Sequence, residues 1–130
     1  MKKLIVKPLV VGMLLGTASA FAGDVIANIS GTLTADEVRE VFVGDKLSAG
    51  GAKLAPMDNS AAQADFLAKV VKVDAAKYGT IWAKKGFRDG LNPPPVRGSD
   101  SEVINAVKST PGAIGYVTSA PAGVTVILKY

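Results

Sequence analysis

Three times along this chain a hydroxyl side chain stands three residues ahead of a Glu or Gln: Thr34 before Glu37, Ser60 before Gln63, and Ser99 before Glu102. That spacing is a capping box, in which the hydroxyl accepts from the third helical N–H and the longer side chain reaches back to the cap. Each box predicts a helix start, and Asp74 ahead of "AAKYGTIWAKKGF" predicts another. Apolar residues then recur at helical spacing: Val38, Val41 and Phe42 with Leu33 in the first helix, and Phe66, Leu67, Val70 and Val71 in the second. Tyr78, Ile81 and Trp82 form the inward side of the third, and Val103, Ile104 and Val107 that of the fourth. Gly44 stops the first helix.

The segments between these helices are short and β-branched. "DVIANIS" (24–30), "KLAPM" (53–57), "AIGYVTS" (113–119) and "VTVILKY" (124–130) predict strands, with Pro121 and Gly123 separating the last two. "GDKLSAGGAK" is a glycine-rich turn region; no Gly-Lys-Ser/Thr follows it, so it is not a phosphate loop. "RDGLNPPPVRG" is a loop in which three consecutive prolines hold the chain extended. Strand, helix, strand, three helices, two strands is the order of an α/β sandwich.

The N-terminus has a different composition. Lys2, Lys3 and Lys7 precede an apolar run from Leu9 to Leu15 and a small-residue stretch ending at Ala22, the layout of a cleavable export signal. The run is shorter than the roughly 20 apolar residues a membrane span needs. The expectation is a leader over 1–22, cut after Ala20 or Ala22, and one domain over 23–130 with no span after cleavage. Without the three leader lysines, 15 basic residues become 12 against 11 acidic ones, a net of +1. With no basic stripe interleaved with aromatics, nucleic acid is not an expected partner. There are no cysteines, so disulfides and a lipoprotein anchor are excluded, and the periplasm is the expected location.

Histidine is absent as well. Serine–histidine and cysteine–histidine nucleophiles and the usual zinc or copper ligand sets are therefore excluded. Asp36, Glu37, Glu40 and Glu102 fall on helix first turns or exposed faces, where acidic residues complement the dipole. The chain is read as a non-enzyme without cofactor or metal. Two places could receive an anion: Asn59-Ser60 at the second helix start, and Arg97 with Ser99 before the fourth. Lys84, Lys85 and Arg88 are read as a solvated helix end, and Trp82 as core.

Several segments together resemble a known family. "LTADEVREVFVGD", "FLAKVV…YGTIWAKKGF" and "SDSEVINAVKSTPGAIGYV" are similar to elements of phosphate ABC-transporter substrate-binding proteins, with Pro111 to Val117 the most specific part. The resemblance spans residues 23–130. It implies one lobe of a type II periplasmic binding protein, with a mixed central sheet flanked by about four helices. It also implies a small anion such as phosphate as ligand, and a membrane transporter or another periplasmic protein as partner. A homodimer could rebuild a two-lobed cleft. The family's phosphate loop carries an arginine and then Ser-Gly-Thr opening a helix. Here Ser60 matches the serine, Ala61 and Ala62 replace Gly-Thr, and Pro56, Met57 and Asp58 offer no arginine. Asp58 adds a like charge, which at about 4 Å costs about 1 kcal/mol in water and more when desolvated. The alternative function is an interaction module derived from a binding lobe, without its own ligand.

Overall fold

Strict alternation in two strands sets the architecture. In the computed structural model, which describes residues 21–130, β1 (Asp24–Ala27) and β7 (Ala113–Val117) are buried along their whole length. Val25, Ala27, Ile114 and Tyr116 point into one core, and Ile26, Ala113 and Val117 into a second on the opposite face. A strand buried on both sides needs helices on both sides. The first core is covered by α1 (Ala35–Phe42), α2 (Gln63–Phe66, continued by a π-helical segment Leu67–Val71) and α3 (Ala75–Asp89). The second is covered by α4 (Asp100–Ser109) through Val103 and Val107. The described residues thus form an α/β unit with four helices and a mixed sheet.

The sheet runs in the order β4-β7-β1-β8. β1 lies antiparallel to β7, with Val25 opposite Tyr116, and antiparallel to β8 (Thr125–Lys129). β4 (Ala55–Pro56) runs parallel to β7. Val25 faces Leu128 and Ile26 faces Val126, so Ile127 is the extra residue of a bulge in β8. The expected leader lies outside the described residues up to residue 20. Ala22 and Gly23 donate backbone hydrogen bonds to the Tyr130 carbonyl at the sheet edge.

Two glycines in "PGAIGYV" sit where a side chain does not fit. Gly112 has φ +86°, and a Cβ there would lie 2.2 Å from the Lys53 carbonyl oxygen. At Gly115 a Cβ would lie 2.6 Å from Val103 Cγ1, so α4 sits on the sheet where β7 has no side chain.

Several expected boundaries move. The first strand ends at Ala27 rather than Ser30. The glycine-rich turn region contains a hairpin of β2 (Ser48–Ala49) and β3 (Ala52–Lys53), turned at Gly50 and Gly51 with positive φ. Thr34 and Glu37 form the full capping box at 3.1 and 2.9 Å. Ser99 accepts from the Glu102 N–H at 3.3 Å, while the Glu102 carboxylate meets the Ser99 hydroxyl instead of the cap backbone. The Ser60–Gln63 box does not form: α2 starts at Gln63 with Ala62 as a cap that makes no side-chain bond. The cause is tertiary. Asp58–Asn59 is a strand, β5, paired parallel with β6 (Val96–Arg97) in what reads as loop, so Ser60 N–H is drawn to the Arg97 carbonyl at 2.9 Å.

Gly115→Val places branched carbons where α4 rests, and overpacking of this kind costs about 1–3 kcal/mol. Urea denaturation should show a lowered midpoint with little change in slope; an unchanged midpoint would contradict the close approach of α4.

Candidate functional site

The polar centre of the molecule is β5. Its flanking backbone is fully engaged: Met57 N–H donates to Ile114 O at 2.9 Å, and Asp58 N–H to Pro95 O at 2.8 Å. This holds Asp58 and Asn59 between the main sheet and the proline loop, with relative exposures of 2% and 0%. A buried carboxylate needs donors, and two phenols supply them. Tyr78 Oη, from α3, donates to Asp58 Oδ2 at 2.8 Å, and Tyr116 Oη, from β7, donates to Oδ1 at 2.7 Å.

Asn59 is equally committed. Its Nδ2 donates to Asp100 Oδ1 at 2.8 Å and to Tyr116 O at 3.0 Å, while its Oδ1 accepts from Ala61 N–H at 3.0 Å. Asp100 in turn accepts from Thr118 N–H at 3.0 Å and from the Thr118 hydroxyl. A chain of polar contacts therefore runs from Thr118 through Asp100 to Asn59, pinning the start of α4 to the end of β7 and to β5.

Burial raises the Asp58 carboxyl above its ordinary value of 3.8, and hydrogen bonds from Tyr116, Tyr78 and Gln63 pull against that rise. Tyr78 and Tyr116 are pushed well above the phenol range, first by burial and then by the Asp58 charge, so both remain neutral donors. Asp58 forms part of the wall of an open groove of about 430 Å³ with Tyr78, Trp82, Pro93, Pro94 and Val96.

The four residues expected to hold an anion lie together, but their donors are used internally. Ser60 N–H goes to Arg97 O, Ala61 N–H to Asn59 Oδ1, and Ala62 N–H to Asn59 O at 3.0 Å. The α-helical part of α2 spans only four residues, which leaves little aligned dipole. Ser60 is exposed and lines a broad groove of about 750 Å³ with Gln63, Ala64, Leu67 and Lys72. The second expected pair is not convergent. Ser99 is committed to the first turn of α4, where Asp100 and Glu102 already complement the dipole. Arg97 instead lines a different groove, which does not include Ser99.

Trp82 is core, donating its indole N–H to Phe42 O at 2.9 Å. Lys85 pairs with Asp45, while Lys84 and Arg88 flank the exposed Phe87 near the end of α3. Among the described residues there is no cluster of acidic side chains able to hold a metal, and no helix long and apolar enough to cross a membrane. No model of a known protein family matches the chain, and no curated protein sequence is similar to it.

The buried carboxylate was not among the expected site residues. The signal available for it was Tyr78 and Tyr116 at apolar positions, since a buried phenol demands a partner.

Two measurements check this network. Tyr116→Phe leaves one carboxylate oxygen without its donor and should cost about 1–3 kcal/mol in chemical denaturation. Because the folded carboxyl pKa is raised, the native state binds more protons than the unfolded chain just above pH 3.8. The Asp58 contribution to stability is therefore largest below that pH and falls as pH rises through the raised value. Asp58→Asn should flatten this part of the pH–stability curve, and an identical slope in both proteins would refute the raised pKa.

Proposed function

We propose that this chain is an exported, periplasmic, single-lobe domain of the type II periplasmic-binding-protein kind, acting as a protein-interaction module. The observation that carries this reading is the use of the Ser60, Ala61 and Ala62 N–H groups within the protein, directly beside the buried Asp58 carboxylate. An oxyanion recognised by a helix N-terminus needs free, converging donors and a positive potential. Here the donors are spent and the nearest buried charge is negative. The α/β architecture with a mixed sheet is compatible with such a lobe. Partners consistent with the reading are a membrane transporter, another periplasmic protein or a second copy of the chain.

A second reading, weak binding of phosphate or a similar small anion, draws on the exposed Ser60 hydroxyl and Lys72 on the shared groove. Titration calorimetry of the leaderless protein with phosphate separates the two. The interaction reading expects no binding tighter than about 1 mM, roughly −4.1 kcal/mol, and no change in Ser60→Ala. Affinity tighter than about 10 µM, lost with Ser60→Ala, would replace it with solute binding.

A further inference from the structure

Arg97 is the one strong cation of the polar centre that has no counter-charge. Its Nε–H is buried and meets no acceptor among the described residues, and its guanidinium makes no ion pair among them. The carboxylates nearest in sequence are occupied elsewhere: Asp100 by Asn59 and Thr118, and Glu102 by Ser99. Guanidinium stays charged at every accessible pH, so the unmet N–H cannot be relieved by deprotonation. A buried unpaired donor is costly, more so when it belongs to a charged group.

Arg97 lines a groove of about 310 Å³ between the proline loop, β4 and α4. Pro56, Met57 and Pro93 to Pro95 supply apolar walls, and Asn92 and Thr110 supply the other polar side chains. No acidic residue lines it. The prolines have no N–H, and the Ala55 and Met57 N–H groups are donated to Gly112 and Ile114. The side-chain donors on its wall are those of Arg97, Asn92 and Thr110. The frame is stiff, because the prolines restrict φ and the Arg97 carbonyl is tied to Ser60.

From this arrangement we infer that the Arg97 groove is a binding site for an oxyanion carried on a compact apolar body, either a carboxylate or a phosphate monoester. The guanidinium fork takes the oxyanion, as it does wherever planar bidentate recognition matters. The prolines and Met57 take the apolar part. The site is distinct from the 59–62 loop, and does not depend on whether the domain also contacts another protein.

The test uses the leaderless protein and four probes: benzoate, phenyl phosphate, inorganic phosphate and benzyl alcohol. Benzoate or phenyl phosphate should move the Arg97 guanidinium resonances in ¹H–¹⁵N spectra. Arg97→Met should weaken that binding at least about tenfold, the loss expected for a hydrogen bond to a charged group, while the circular dichroism spectrum stays the same. Which of the two probes binds more tightly identifies the oxyanion. Equal binding of benzyl alcohol would overturn the oxyanion requirement, and equal binding of inorganic phosphate would overturn the apolar one. If neither aromatic anion shifts the Arg97 resonance at millimolar concentration in the wild-type protein, the site does not exist.

Discussion

The grip of two tyrosine hydroxyls on the Asp58 carboxylate is the interaction on which the rest of the molecule depends. Tyr78 comes from α3 and Tyr116 from the central strand β7, while Asp58 sits on the two-residue strand β5. One ionisable group thus joins three elements far apart in sequence. Tyr116 also belongs to the aromatic centre of the larger core. Its ring stacks on Phe66 at 3.8 Å and 6°, and meets Phe42 edge-on at 5.7 Å. Polar triad and aromatic cluster share a side chain, so the orientation of each is set by the other. Such an arrangement stabilises only when every donor and acceptor is matched, because an unpaired group in the same place would cost more than the bond contributes.

Beside this interaction, the backbone of the loop after β5 is engaged within the protein. Pairing of β5 with β6 draws Ser60 N–H onto the Arg97 carbonyl, and the buried Asn59 amide takes Ala61 N–H. The helix that follows starts late, widens into a π segment and ends at Lys72 with φ 65°. Its π segment is held by α1, since Arg39 Nε donates to Val71 O at 3.0 Å. Strand pairing, the Asn59 side-chain amide and the Asn59 carbonyl take the N–H groups of residues 60–62. Arg97 differs: its buried Nε–H meets no acceptor among the described residues.

Helix positions were largely legible from the chain. Thr34, Asp74 and Ser99 cap where expected, because a cap needs only its own next three residues. The stripes Val38–Val41–Phe42, Tyr78–Trp82 and Val103–Val107 are buried, because helical periodicity is read locally. Ile81 and Ile104, in the same stripes, lie half-buried at the edges of their cores. The error at Ser60 is of another kind: Ser60 and Gln63 have the right spacing for a box, yet the Ser60 N–H is claimed by β6, about forty residues away in the chain. No local pattern around Val96-Arg97 marks a strand after three prolines. The hairpin at Ser48–Lys53 was hidden in a similar way, its strands being only two residues each.

By itself, then, the sequence determined the α/β class, the four helices, the central strands and the absence of histidine and cysteine chemistry. Each of these follows from residue type or from spacing within one element. The tertiary structure alone decided which polar groups are free. It buried Asp58 against two phenols, spent the backbone N–H groups of residues 60–62, and left the Arg97 guanidinium without an ion pair among the described residues, beside a proline-walled groove. Local spacing can set a hydroxyl at a helix start, but whether its backbone remains available to a ligand depends on strand pairing between segments distant in the chain.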